Sequence, residues 1–419
     1  MTEPRRWTKL DNVAKIFPPT RTKIDTKVFR FSCELIENVD PDILARAVEL
    51  TLPRFPVYKS VMKKGLFWYY LEDSSIEPHV REEYKPPLTE LYSGNSRNLL
   101  FEVTYYRRRI NLEVFHVLSD GAGAIQFFRV LVGHYLIQKY HRDRPELMNE
   151  IDTDASAGQS RVDSFQKYYE KVSYFSKEKR EPAYSFKRDH LSGRRLRIVE
   201  GIVSVKALRD KSREFGATIT EMLITNFVLS IGAQMGLQDM KRPVVVTVPV
   251  NLRQFFPSET ARNFFGMLYV TYDFNAGEND FDSAIKRIKS SFKEELTEEK
   301  VRARMNQYAA LEHMMMARLL PLALKDPIMR FGNWLEKRLF TTSFSNVGKI
   351  ELPEALAEHV YMVDVFDSAH GLQAVTSSFG DKFVTSFTSV LRDTDIEMNY
   401  FRRLSGMGLE VTVAGNSVL

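Results

Sequence analysis

FHVLSDGAGAIQFFRVL, residues Phe115–Leu131, joins an apolar strand to a long helix through a short segment with two glycines. In the overlapping run INLEVFHV, Ile110–Val117, the alternate residues Ile110, Leu112, Val114 and His116 would lie on one face of a strand. Because three of them are aliphatic, this pattern predicts a strand with a buried side. After Gly123, apolar residues recur at helical spacing and predict a helix from about Ala124 to Lys139. This order of strand, glycine-containing turn and helix favours an α/β fold.

The histidine at the end of this strand is the strongest candidate for chemistry in the sequence. His116 shares a strand face with three aliphatic residues, and a partly desolvated imidazole on a rigid element suits a general base. Asp120 follows four residues later, and Gly121 and Gly123 allow the backbone to turn into the helix. The same spacing also fits a core histidine, a helix N-cap at Asp120 and ordinary turn glycines. Spacing alone leaves both interpretations open.

The neighbouring segments continue the strand and helix pattern. Phe29–Asn38 predicts a strand, and Pro41–Leu52 predicts a helix with proline at its first position. Leu66–Glu72 predicts another strand. Leu99–Tyr106 and Ile110–Val117 predict an antiparallel hairpin.

A polar stretch divides the chain into two halves of similar style. Residues 141–200 have few apolar periods and predict the connection between domains, with one helix near Phe165–Phe175. The second half repeats the pattern of the first, so we predict two α/β units. Its predicted elements are strands at Arg197–Val203 and Val244–Pro249, helices at Ala207–Glu214, Thr220–Gln234, Asp280–Leu296, Arg302–Leu320 and Pro327–Phe340, and a strand-rich end from Tyr361 to Asp393.

Length and composition exclude several classes of protein. The chain has 419 residues and a net charge of +5, which is too dilute for a nucleic-acid footprint. One cysteine, Cys33, excludes a disulfide framework or a thiolate metal cluster and suggests a reducing compartment. The N-terminus lacks the pattern of a secretory signal. The apolar run Ile219–Met235 carries Glu221 and Asn226, which would be costly in the centre of a bilayer. We therefore expect a cytoplasmic protein with no nucleic-acid partner and no integral membrane contact.

The segment around His116 resembles the HxxxDG motif of the CoA-dependent acyltransferase superfamily, which includes chloramphenicol acetyltransferase, wax ester synthases and peptide-synthetase condensation domains. Three further segments resemble the alcohol acetyltransferase branch of that superfamily. They are WTKLDNVAKIFPPT (Trp7–Thr20), VTVPVNLRQFFPSETARNFFGM (Val246–Met267) and SFSNVG (Ser343–Gly348). Together these similar segments span most of the chain.

The resemblance implies two α/β sandwich domains of the chloramphenicol acetyltransferase type with an active-site tunnel between them. The N-terminal domain would cover residues 1–165, a linker 166–194, and the C-terminal domain 195–419. The implied reaction moves an acyl group, expected to be acetyl, from acyl-CoA to an alcohol in a ternary complex, with no metal and no bound cofactor. Acyl-CoA and a small-molecule alcohol would be the partners, and a carrier protein stays open as another.

The resemblance also implies a role for each candidate residue. His116 would be the general base. Asp120 would face away from the substrate and pair with Arg253, and Gly121 would serve the turn beside it. Ser345 and Asn346 would lie at the mouth of the channel, although both also fit an ordinary turn before a glycine.

The sequence departs from the superfamily in two places. Phe115 occupies the first position of the doubled histidine that condensation domains usually carry, which argues against a condensation enzyme. The DFGWG motif of the plant members is absent, and SSFGDKFV keeps only a Phe-Gly turn before a strand. The second departure concerns a structural motif and leaves the proposed chemistry intact.

Three alternatives remain at this point. An enzyme of the same fold could acylate an amine, a thiol or a carrier-bound polyketide. A protein could keep the fold for binding without turnover, although His116 and Asp120 argue against that. An enzyme of the wax ester type could act at a lipid surface.

Overall fold

The computed structural model describes residues 7–94, 98–151, 164–170, 180–258, 262–313 and 319–416. Within these ranges the strands form three sheets. The predicted α/β class is confirmed, with helices packed on mixed sheets in both halves. The helices are Phe17–Thr20, Pro41–Thr51, Gly121–Tyr140, Ser164–Tyr168, Val205–Glu214, Ile219–Gly232, Phe281–Glu295, Glu298–His313, Leu322–Glu336, Glu354–Ala357 and Asp395–Gly406.

A five-stranded sheet carries the hairpin that ends at His116. Its strand order is Val360–Asp367, Val28–Leu35, Arg109–Phe115, Phe101–Tyr106 and Arg81–Glu82. The hairpin was predicted, whereas the edge strand Val360–Asp367 comes from the last quarter of the chain and pairs antiparallel with Val28–Leu35. One segment of the C-terminal half therefore belongs to the sheet that presents His116.

A seven-stranded sheet forms the centre of the second half. Its order is Phe265–Tyr272, Val244–Asn251, Thr342–Lys349, Leu372–Phe379, Lys382–Ser389, Arg197–Ser204 and Thr412–Gly415. A small sheet of Trp7–Lys9, Tyr69–Asp73 and Ser60–Lys64 shares no strand with the two larger ones, and its buried Met62, Tyr69 and Leu71 pack in the core of the five-stranded sheet. Each large sheet has its own apolar core, because buried side chains from the covering helices fill one face of each.

Local sequence explains where the main helices begin. Asp40 caps the helix Pro41–Thr51 by accepting from the backbone of Asp42 and Ile43, with Pro41 at the first position as predicted. Thr218 and Glu221 form a reciprocal capping box at the start of Ile219–Gly232. These caps satisfy amide groups that would otherwise lack partners at the helix ends.

Two predictions from the pattern were wrong, and two elements were missed. The helix expected to begin at Pro327 begins at Leu322 and holds the proline inside it. Ser345 and Asn346 lie in the strand Thr342–Lys349, not in a turn, because the parallel neighbour Leu372–Phe379 pairs with them. The neighbour on the other side, Val244–Asn251, pairs only with Thr342 and Ser343. The strand Phe265–Tyr272 and the helix Asp395–Gly406 were not predicted.

Other expectations fall partly outside the described ranges. The helix expected near Phe165–Phe175 is seen as Ser164–Tyr168, and residues 171–179 lie outside the described residues. The domain limits at residues 165 and 195 stay a prediction. In the part of the chain that the structure describes, no single helix has the length and hydropathy needed to cross a membrane. The required length and hydropathy are met only by two helices counted together, Val205–Glu214 and Ile219–Gly232, which are separated by a bend of 80°.

Candidate active site

The backbone of His116 is held by both halves of the chain. Its amide donates to the carbonyl of Lys27 at 2.9 Å, where Lys27 has a φ of 60°. The side-chain amide of Asn263 donates to the carbonyl of His116 at 3.0 Å and to Oδ2 of Asp11 at 3.1 Å. Bonds from the two sides fix the residue that ends the strand, which gives its side chain a defined direction.

Aromatic rings enclose the imidazole of His116. The ring centroids of Phe17 and Phe29 lie 4.9 Å and 4.6 Å away, and that of Phe265 lies at 6.1 Å. Nδ1 is buried and has no hydrogen-bond partner among the described residues. Burial lowers the pKa of His116 to about 4, although the nearby Asp120 carboxylate opposes this shift. The imidazole is therefore neutral at pH 7.

Asp120 uses both carboxylate oxygens within the protein. Oδ1 accepts from the amide of Gly123 at 2.8 Å and thereby caps the helix Gly121–Tyr140. Oδ2 accepts from the amide of Phe264 at 2.8 Å. Arg253 donates Nη1 to Oδ2 at 3.0 Å and Nη2 to Oδ1 at 3.3 Å. Asp120 thus combines the N-cap with a charge-assisted pair that crosses between the two halves.

Arg253 is itself oriented by the segment that carries it. Its guanidinium donates to Oδ1 of Asn251 at 3.1 Å and to the carbonyl of Arg262 at 2.6 Å. These bonds position the fork of the guanidinium before it meets Asp120. The contact joins residues 133 positions apart in the sequence.

Gly121 does not occupy a sharp turn. It is the first residue of the helix Gly121–Tyr140, and its φ is not positive. A Cβ built at this position would meet nothing within 4 Å. Because Gly121 lines the cavity described below, the missing side chain leaves space there and does not serve backbone conformation.

Ser345 and Asn346 lie beside a bulge in a central strand. The pairing with Leu372–Phe379 shifts between Asn346 and Gly348, and Gly348 has a φ of 87°, which favours glycine. The Asn346 side chain accepts from the amide of Gly348 at 2.9 Å and donates to Oγ1 of Thr220 at 2.9 Å. Asn346 therefore orders the bulge and ties it to the helix Ile219–Gly232.

A cavity of about 1170 Å³ brings these residues to one space. His116, Asp120, Gly121, Ser345 and Asn346 all line it. Arg253 is not among its lining residues and acts behind the wall. Residues of both halves form this wall, so the cavity lies between the two larger sheets.

Sequence reasoning missed several groups around the cavity. Asn263, Phe17 and Phe29 contact His116. Phe17 and Asn263 lie in segments that resemble the acyltransferases, but nothing in the sequence links any of the three to His116, because their partner is distant in sequence. Asp25 lines the cavity and pairs with Lys27 at 2.7 Å and Lys337 at 3.2 Å. These charges give the cavity a polar region besides its aromatic one.

One side-chain group away from this cavity has the composition of a metal site. His141, Glu358 and His359 bring ligand atoms within 4.8 Å of one another, and Nε2 of the two histidines lie 3.3 Å apart. Nε2 of His141 also lies 3.1 Å from the carbonyl oxygen of Ala355. None of the three residues lines the cavity.

Comparison with solved structures places the fold. TRI3 trichothecene 15-O-acetyltransferase from Fusarium sporotrichioides matches with a TM-score of 0.66 and 12% identity, over 96% of this chain and 94% of that one. TRI101 of F. graminearum, solved with ethyl coenzyme A, matches with a TM-score of 0.65 and 11% identity, over 97% and 100%. This chain has the chloramphenicol acetyltransferase-like fold.

The same fold occurs in proteins of another chemistry. The first condensation domain of the CDA synthetase matches with a TM-score of 0.57 and 14% identity, over 97% of this chain and 96% of that one. No protein-family model and no curated protein matches the sequence. The chloramphenicol acetyltransferase-like fold predicted from the sequence is thus confirmed, and the activity has to be argued from the site.

Proposed function

We propose that the chain transfers an acyl group, expected to be acetyl, from acyl-CoA to the hydroxyl of a small-molecule alcohol. The observation that carries this proposal is His116, a neutral imidazole on the wall of a cavity formed by both halves, with Nδ1 buried. In this proposal, Nε2 is the nitrogen that meets the substrate. A neutral imidazole of this kind is suited to accept a proton.

In the proposed reaction, Nε2 of His116 takes the proton of the acceptor hydroxyl as its oxygen attacks the thioester carbonyl carbon. The C–S bond then breaks, and the CoA thiolate recovers the proton from the imidazolium. The products are an ester and the free thiol. Asp120 stabilises the imidazolium through its negative charge, since its carboxylate favours the protonated form of His116. Asp120 and Arg253 are positioning residues in this scheme.

Two observations support acyl-CoA as the donor. TRI101 of F. graminearum has been solved with ethyl coenzyme A and with coenzyme A and T-2 mycotoxin. In this chain, Lys289 and Lys293 line the cavity and give its wall positive charge, which would attract phosphates; the Lys289 ammonium also donates to the carbonyl of Gly216. Both lysines come from the helix Phe281–Glu295.

An amine acceptor is the second candidate, and one residue favours it. Asp367 lines the cavity, and Oδ1 of its carboxyl is buried with no hydrogen-bond partner in the described part of the chain. Burial raises the pKa of Asp367 to about 7, so the carboxyl is partly ionised at neutral pH and could accept from an ammonium group. Matched alcohol and amine acceptors would separate the two functions.

The test is thiol release from acetyl-CoA with a panel of acceptors. His116→Ala should lower kcat by about a hundredfold to ten-thousandfold, which is the usual contribution of a general base. His370→Ala is the matched control, because His370 lines the same cavity, while the partners of the Asp120 carboxylate among the described residues are Gly123, Phe264 and Arg253. Near-normal turnover in His116→Ala, or equal losses in both variants, would show that His116 is not the base.

A further inference from the structure

The helix Leu322–Glu336 has its apolar side toward solvent. Leu324, Ile328, Phe331 and Leu335 are between 44% and 60% exposed. Their spacing of four, three and four residues places them on one stripe of the helix. An amphipathic helix of a globular protein normally packs such a stripe against the core. In this helix the usual arrangement is reversed, because the apolar side faces solvent.

The polar side of the same helix is bonded to the rest of the protein. Asp326 accepts from the hydroxyl of Tyr69 at 2.8 Å, and Lys325 donates to the carbonyl of Phe67 at 2.7 Å. Just beyond the helix, Lys337 donates to Asp25 at 3.2 Å. Several polar contacts thus fix the orientation of the helix, and its exposed stripe is a stable feature of the surface.

The exposed stripe continues onto a neighbouring loop. Leu66 and Phe67 are exposed, and the carbonyl of Leu66 accepts from the amide of Leu322 at 2.9 Å, which joins the loop to the helix. We call Leu66, Phe67, Leu324, Ile328, Phe331 and Leu335 the apolar patch. Six exposed apolar side chains on two joined segments are typical of a binding surface.

The charges around the apolar patch are positive. Arg330 is exposed, although its Nε donates to the carbonyl of Pro19 at 2.8 Å. The guanidinium carbon of Arg338 lies 3.7 Å from the ring centroid of Trp334, which is itself exposed. Lys64 is exposed as well, but it pairs with the buried Asp326 at 3.6 Å and adds no net charge. The acidic residues of the helix point elsewhere, because Asp326 bonds Tyr69 and Glu336 lines the cavity. The outward side therefore combines apolar and aromatic side chains with cations.

We propose that the apolar patch binds the surface of an anionic lipid bilayer. Leu, Ile and Phe side chains beside Trp, Lys and Arg are the composition of helices that lie in the headgroup region. A second copy of the chain fits less well. A twofold interface would place the patch against itself and bring Arg330 and Arg338 close to their own copies.

Co-sedimentation with vesicles tests this proposal on the full chain. We expect the protein to pellet with phosphatidylcholine vesicles that contain phosphatidylglycerol. The double variant Ile328→Gln/Phe331→Gln should lower the partition coefficient between water and vesicles at least about tenfold, since it removes two apolar side chains that would be buried in the bilayer. Both side chains are exposed, so the variant should fold. Leu237→Gln, at a site that is 86% exposed, is the matched control and should bind as the unchanged protein does.

A charge variant separates lipid electrostatics from general stickiness. Arg338→Gln should weaken binding to vesicles with phosphatidylglycerol and leave binding to pure phosphatidylcholine unchanged. The proposal is overturned if the unchanged protein stays in the supernatant, or if the double variant pellets as fully as the Leu237→Gln control. It is also overturned if sedimentation velocity shows a dimer that the double variant abolishes, because the patch would then bind a second copy.

Discussion

Replacement of Asp120 by alanine should destabilise the protein as well as reduce turnover. The change removes the helix cap on the amide of Gly123 and the acceptor for the amide of Phe264. It also leaves the guanidinium of Arg253 without its carboxylate. All of these groups lie at the junction between the two halves, so one substitution affects helix, strand and interface together.

The expected magnitude follows from burial. The Asp120 side chain is 5% exposed and that of Arg253 13%, so water cannot readily replace the lost partner. Breaking a buried pair from one side costs about 3–5 kcal/mol, and loss of an N-cap alone costs about 1 kcal/mol. The two effects share atoms and do not add fully. We expect Asp120→Ala to lower the free energy of unfolding by about 3–5 kcal/mol.

Chemical unfolding followed by circular dichroism measures this effect. Asp120→Asn should lose less, because an amide oxygen can still cap the helix while the charge is gone. Glu49→Ala is the matched control, since it breaks the exposed pair of Glu49 with Arg46, and such pairs contribute about 0–1 kcal/mol. If Asp120→Ala unfolds within 1 kcal/mol of the unchanged protein, the pair with Arg253 does not hold the junction.

Three further predictions concern the base, the cysteine and the core. Because burial lowers the pKa of His116 to about 4, kcat/KM should fall only as the pH approaches that value. The stability that the neutral ring contributes should be lost as the pH falls from about 6.5 toward 4. A decrease of kcat/KM centred at pH 6.5 would contradict the burial argument. Burial also raises the pKa of the Cys33 thiol, so acetyl-CoA alone should leave the intact mass unchanged, and an added acetyl group chased off by alcohol would show a covalent intermediate. Gly201→Ala should lower the free energy of unfolding by about 1–3 kcal/mol, since the new Cβ would lie 2.0 Å from a ring carbon of Phe401. Gly332→Ala is the control: a Cβ there meets nothing within 4 Å on an exposed helix, so this change should stabilise the protein. Equal effects of the two changes in chemical unfolding would refute the packing argument.

The parts of the fold that local sequence determines were predictable. The hairpin before His116 alternates cleanly, and the helix after Asp120 has both an N-cap and helical spacing. Such elements form from residues close in sequence, so periodicity reports them directly.

Other parts depend on partners that lie far along the chain. The strand Thr342–Lys349 is rich in Ser, Thr and Asn and has weak strand propensity, but it lies between two parallel neighbours that bond its backbone. Pro327 suggested a helix start, yet the helix begins at Leu322, where polar contacts to the first half hold its early turns. In both cases tertiary contacts override the local signal.

The site shows the same division. His116 and Asp120 could be proposed from spacing together, whereas the choice of Arg253 for Asp120 came from the resemblance alone. Asn263 lies in the similar segment Val246–Met267, but its bond to the carbonyl of His116 was not predictable, since 147 residues separate the pair. Side-chain contacts over such distances leave no periodic pattern in one sequence.

The strand Val360–Asp367 also affects the order in which the chain can fold during synthesis. Val28–Leu35 has a vacant hydrogen-bonding edge until Val360–Asp367 has left the ribosome, because that late strand is its neighbour on one side. An unpaired strand edge of this length readily pairs with other chains. Nascent or truncated chains that end before residue 360 should therefore need a chaperone to stay monomeric.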